Sequence, residues 1–472
     1  MSHGRASFSE EQAQTDLLLV VPPRGVPLDT EQRGHTVLKV VAGDKSAPHV
    51  LRRVPNEILS QILLAVLEDA PLGEFICPPW YLGHVCQHWR ALALALPGLW
   101  TVITYDGLPE KTKTLIERAS NELLRVKFRM PPGGGRERHD QALAVLDMLM
   151  DVSERWMAVS MDLRPSLVHR LSVLRGRLPV LGFLGFVLSA TTRYSGDGVD
   201  YRDTVNAFEL TPRLHDVSLH NLAGIRHPDP IALPWQQLTH LRLSIHRPQH
   251  LLLLQSTPGL EWASVDFRTE AHAVLFTTQI DVDLPALRRL FTRDIIFFDV
   301  LNAPLLEEVY TVNADPTPLL HFLERSQAQT RKLRTLRLAW ATTRTVSLIL
   351  EAAPQITSLG LHCGSDKEAD ALVSQLTVQA NATPCMGPNV TDMTLVFDEQ
   401  IVGPGALMRM IESRAASDGA KCRKLEHTRI WITVETMAVS EQMMDRFKVL
   451  QETQGLVYEV KWGPNLIDDW DD

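Results

Sequence analysis

The chain has 472 residues, 45% of them hydrophobic and 22% charged, which is the balance of a folded protein with room for about three domains or one long repeat array. A net charge of -9 and the terminal run DDWDD at 468–472 speak against a general nucleic-acid binder, which needs a basic stripe to displace counterions from phosphates. Five cysteines (Cys77, Cys86, Cys363, Cys385 and Cys422) are odd in number and scattered, so a reducing compartment, cytoplasmic or nuclear, is expected. The opening MSHGRASFSEEQAQTD lacks a secretory pattern, and no run of about 18 apolar residues predicts a membrane span.

In chain order, residues 1–48 mix Gly, Pro, Gln, Ser and charges and read as a flexible leader. VPNEILSQILLAVLE at 54–68 opens the first periodic segment. Pro55 suits a first helical position, and Leu59, Ile62, Leu63 and Val66 recur at helical spacing on one face. A second helix carries Leu82, Val85, Cys86, Trp89 and Ala93 on one face until Pro97-Gly98 stops it. Helices this short are marginal alone, so the pair must pack on each other, on a third element or on a partner.

Downstream the helical run KTKTLIERAS precedes the alternating strand pattern LLRVKFRM (123–130), and HDQALAVLDMLMDVSE precedes RWMAVSMDL (155–163). One phrase then recurs: an aliphatic, two variable residues, an aliphatic, one variable residue, an aliphatic. It reads PVLGFLGF (179–186), PRLHDVSL (212–219), QQLTHLRL (236–243), PGLEWASV (258–265), RKLRTLRL (331–338), PQITSLGL (354–361) and PNVTDMTL (388–395). Weaker copies are PALRRLFT (285–292), PLLEEVYT (304–311) and RKLEHTRI (423–430). Spacings of 19 to 35 residues lie around those of leucine-rich repeats. A turn that buries its first aliphatic, followed by a strand that buries two alternate ones, predicts units that stack into a parallel sheet from about residue 108 to 462. Ser218, Arg242, Ser264 and Arg337 fall on the outward positions of such strands and are candidate contacts for a protein substrate.

Signals for chemistry are few. PPGGGR (131–136) lacks the Lys-Ser/Thr of a phosphate loop, and His84, Cys86 and His88 lie two apart, a spacing that does not face one ion from a helix. No nucleophile elbow or zinc-protease motif is present, so no catalytic residue, metal or cofactor is expected.

VPNEILSQIL followed by HVCQHWRALALALPGLWTVI resembles an F-box, in the version common in mushroom-forming fungi, where divergent leucine-rich repeats follow it. The matching positions are Val54, Pro55, Glu57, Ile58, Leu59 and Ile62, then Val85, Cys86, Trp89, Arg90 and Ala93, then Pro97, Leu99 and Trp100. Val54 stands where the family usually has Leu, and the loop at 68–79 is longer than in a minimal F-box. The resemblance implies a helical F-box at 50–104, an irregular leucine-rich-repeat-like α/β solenoid at 108–462 and an acidic tail at 463–472. It further implies a non-catalytic substrate-recognition subunit of a ubiquitin ligase that docks a Skp-type adaptor and its cullin scaffold. An interaction scaffold without a role in degradation is the alternative.

Overall fold

A computed structural model describes residues 54–68, 82–131, 136–188, 204–220, 231–245, 250–267, 281–312, 315–325, 332–363, 366–378, 385–397, 404–417, 419, 422–432 and 441–462. The expected leader, the acidic tail and the glycines of PPGGGR lie outside those residues. Among the described residues, fourteen strands form one sheet in which every pairing is parallel and each strand lies beside its neighbour in sequence. The order begins with β1 (Val102–Tyr105), β2 (Leu124–Arg129), β3 (Trp156–Leu163), β4 (Phe183–Leu188), β5 (Asp216–His220), β6 (His240–Ile245) and β7 (Trp262–Phe267). A two-residue strand, β8 (Val282–Asp283), leaves the sheet to pair with β10 (Leu301–Asn302). The main sheet continues with β9 (Arg289–Thr292), β11 (Glu308–Val312), β12 (Thr335–Ala339), β13 (Ser358–Cys363), β14 (Asp392–Phe397), β15 (His427–Ile432) and β16 (Val457–Trp462).

All ten recurring phrases end in a strand of this sheet, from β4 to β15. The reason is local. The first aliphatic of each phrase, for example Leu181, Leu214, Leu238, Leu260, Leu333 and Ile356, is buried in the turn, and the next two enter the core from alternate strand positions. A parallel pair needs a crossover, and in the C-terminal half each crossover is a helix. After α4 (Pro109–Arg118), α5 (Arg136–Asp151), α6 (Leu251–Gln255) and α7 (Phe297–Val300), these helices are α8 (Thr317–Arg325), α9 (Thr343–Ala352), α10 (Asp366–Leu376), α11 (Pro404–Ala415) and α12 (Glu441–Gln454). Each touches the next, so they form a second layer over the inward face of the sheet. Among the described residues between β4 and β7, the connections hold the 3-10 turn Trp235–Gln237 and the short helix Leu251–Gln255. Polar ties close these turns: Gln237 Nε2 donates to the carbonyls of Thr211 and Leu214, both at 2.7 Å.

The N-terminal helices are α1 (Asn56–Glu68), α2 (Leu82–Val85) and α3 (Gln87–Ala95), with a 3-10 turn at Pro97–Trp100. They share one continuous core with the sheet, extending from Leu59 to Leu456. Three local expectations change. Pro55 precedes α1 instead of beginning it, and its carbonyl accepts the first helical bond from Leu59 N at 3.0 Å. The second helix breaks at Cys86, which turns extended and caps α3 by accepting from Trp89 N at 3.5 Å. The sheet begins at Val102, inside the segment that the sequence assigned to the helical module, because β1 pairs with β2 over four residues.

Candidate interaction surfaces

The first surface is built by α1. Leu59 and Leu63 are fully buried in the core that also holds Trp89, Ala93, Leu99 and Trp100, whereas Ile58 and Ile62, one position earlier in each turn, are 47% and 49% exposed. Ile62 therefore faces away from Leu59 and Leu63, contrary to the single face read from the sequence. Two apolar side chains at i and i+4 on an otherwise anchored helix form a ridge that a partner's groove can receive. Pro55, Glu57 and Cys86 are also exposed, while Val54, Val85 and Pro97 are half-buried. Trp89, Leu99 and Trp100 belong to the core, and the Trp100 ring is fixed by Nε1 donating to Ala93 O at 2.9 Å and by the Arg118 guanidinium 4.4 Å above it. The predicted docking set thus divides into an outward group and a group that holds the outward group in place.

The second surface is the outward face of the sheet. Strand register places Ser218 directly beside Arg242 and Arg242 beside Ser264. The same row continues through Phe291 and Tyr310 to Arg337. All four residues chosen from the phrase therefore stand in a single transverse row. Their environments differ. Ser218 is largely buried, with its Oγ 2.8 Å from His220 Nε2, and His220 Nδ1 lies 3.1 Å from Ser244 Oγ on the next strand. Arg242 stacks over the Trp262 ring at 4.6 Å, and the His240 ring lies 6.2 Å from the same indole. Arg337 pairs with Glu308 at 3.3 Å and lies across β13 at Gly360, where an added Cβ would come within 3.0 Å of Arg337 Cγ.

Burial raises the Asp216 carboxyl above its usual range, against the pull of Arg242, His240 and His215. Burial likewise lowers His240, opposed by Asp216, so its imidazole is favoured in the neutral form. Both groups adjoin Arg242 on the outward face, which makes this stretch between β5 and β7 polar and partly desolvated.

Aromatic residues on this face escaped the sequence reading. Phe291 and Tyr310 stack at 4.4 Å and pack with Ala339 and Val312. Trp431 packs with Val396 beneath Lys461, whose Nζ lies 4.9 Å from the ring. Trp340 is 51% exposed and holds a left-handed backbone, φ 56, immediately after β12. An exposed indole on a backbone that costs strain is the kind of anchor that protein interfaces use. Strand parity could have assigned Phe291 and Tyr310 to the outward row, but the turn that swings Trp340 outward leaves no pattern in the sequence.

Among the described residues, no group of three His, Cys, Asp or Glu side chains is arranged to hold a metal ion, and no helix is long and apolar enough to cross a membrane. No known family model matches this sequence, and no curated protein matches it.

Proposed function

We propose that this chain is the substrate-recognition subunit of a Skp-cullin-F-box ubiquitin ligase, working in the cytoplasm or nucleus. The observation that carries the reading is the exposed Ile58–Ile62 ridge on a helix whose opposite side, Leu59 and Leu63, is locked into the core. It lies within the stretch whose motif resembles an F-box. In this reading α1 to α3 dock the Skp-type adaptor, and the cullin scaffold is reached through that adaptor. The strands and helices that follow make a leucine-rich-repeat-like solenoid; ten copies of one phrase, each ending in a parallel strand beside its predecessor, support it. Its outward face, with Ser218, Arg242, Ser264, Arg337 and Trp340, holds a protein substrate.

No residue of the chain performs chemistry in this mechanism. The docked ridge fixes one end of the molecule to the ligase and the outward face fixes the substrate to the other. Ubiquitin transfer is accelerated because the two are held at high effective concentration.

The test is co-purification. Ile58→Glu with Ile62→Glu places two charges on an already exposed ridge, so the fold survives and capture of the Skp-type adaptor should fall more than tenfold. Unchanged capture by a folded double variant would sink the assignment. Capture of adaptor together with cullin by the parent chain supports the ligase reading, and adaptor without cullin supports a scaffold. Leu59→Asp is the contrasting variant: it buries an unpaired charge and should unfold the helical module.

A further inference from the structure

Arg414, on α11, is a fully enclosed guanidinium whose hydrogen bonds go to backbone carbonyls and sulfur. Its Nε donates to Leu376 O at 2.7 Å, its Nη1 to Gly387 O at 3.3 Å, and its Nη2 to Met386 O and to Cys385 Sγ, the latter at 3.5 Å. Cys422 lies within reach of the same charge. Ser417 Oγ holds Cys422 in place, donating to its carbonyl at 2.6 Å and lying 3.5 Å from its sulfur. The two cysteine segments are laced together by the backbone, since Arg423 N donates to Pro388 O at 2.6 Å and Leu425 N donates to Arg414 O at 3.2 Å. Both thiols are free. Cys422 is buried and Cys385 is half-buried, so only Cys385 is open to a reagent.

We infer that Cys385 and Cys422 are a modification site: a thiol pair that closes to a disulfide when a small disulfide oxidant, of the class of glutathione disulfide, reaches Cys385. The Cys385 thiolate attacks one sulfur of the oxidant, forming a mixed disulfide and expelling one glutathione thiolate. The Cys422 thiolate then attacks the Cys385 sulfur, closing the protein disulfide and expelling the second glutathione. Two protein thiols are oxidised, one disulfide is reduced, and the two protons pass to the two glutathione thiolates. Arg414 stands beside both sulfurs and favours the anionic nucleophile at each step. The crosslink ties the entry to β14 to the entry to β15, and so fixes two neighbouring units of the outward face against each other.

Burial pushes the Cys385 thiol up to about 11, with Arg414 working against the rise and the nearby Cys422 adding to it. The first step is therefore slow at neutral pH and speeds up roughly tenfold per pH unit between about 7 and 9, as the thiolate fraction grows.

The experiment treats the full chain with glutathione disulfide and follows intact mass, alkylatable thiols and crosslinked peptides. With the exposed thiol removed by Cys86→Ser in every sample, the expected product is about 2 Da lighter, has two fewer alkylatable thiols and yields a peptide joining Cys385 to Cys422. Cys422→Ser, with Cys422→Ala as a second variant, should stop at the mixed disulfide, about 305 Da heavier. Cys385→Ser should take neither change at these positions. Circular dichroism confirms that each variant is folded. Absence of the Cys385–Cys422 peptide in the oxidised folded chain overturns the inference, and so does a 2 Da loss that persists in Cys385→Ser.

Discussion

At residue scale, Arg414 joins three segments, its own helix α11, the end of α10 and the loop before β14. It donates to the last-turn carbonyl of α10 and to two carbonyls of the loop before β14, where Gly387 O also accepts from Val390 N and Met386 O from the Cys385 thiol. Arg414→Ala removes donors from three carbonyls at once. It should cost about 3 kcal/mol or more in chemical denaturation, at the upper end of single-residue effects. Arg414→Lys should recover only part of that loss, because one ammonium cannot reproduce a planar fork. None of this was legible in the sequence, where Arg414 reads as the basic end of MRMIESR. The division of α1 was equally hidden. Ile58 with Ile62 and Leu59 with Leu63 are both i, i+4 pairs, so periodicity cannot choose between them. Packing of α1 against α3 and the following 3-10 turn makes the choice.

At the scale of elements, the strands were the legible part and the caps were not. The phrase alternates with period two, so parity alone assigned Leu241 and Leu243 to the core and Arg242 to the outside, as the structure has them. β1 was missed because four residues, VITY, directly after a 3-10 turn are too few to display a period. The break at Cys86 was missed because a thiol is an uncommon helix cap.

Caps also give this scale its prediction. Asp315 Oδ1 accepts from Thr317 N at 3.0 Å and from Thr317 Oγ1 at 2.8 Å, holding the first turn of α8. These bonds, the backbone one foremost, draw the Asp315 carboxyl below its ordinary 3.8. A depressed acid stabilises the fold above its unfolded value, and that contribution fades as pH falls from about 4 through the lower folded value. Because the group is open to solvent, the effect is discounted to about 0.5 kcal/mol. Asp315→Ala should therefore melt slightly earlier than the parent at pH 7, and the two melting curves should converge near pH 2.

At the scale of the whole molecule, each strand of the sheet is hydrogen-bonded only to its neighbours along one elongated, continuous core, so stability is expected to be a sum of unit and interface terms. Ending the chain at Ile432 would remove α12 and β16, together with the Arg446–Glu412 ion pair, at 2.7 and 2.6 Å, that joins α12 to α11. The expected outcome of hydrogen exchange on that shortened chain is lost protection in β14 and β15, with β5 to β9 unchanged; collapse of protection throughout would show long-range cooperativity. The transverse row from Ser218 to Arg337 also sets a length. It crosses the five strand intervals from β5 to β12, about 24 Å at about 4.8 Å per interval. A ligand that touches both ends must measure at least that much, which is about seven residues of extended peptide or about sixteen of helix. Peptides shorter than this can occupy one end or the other, but never bridge the two.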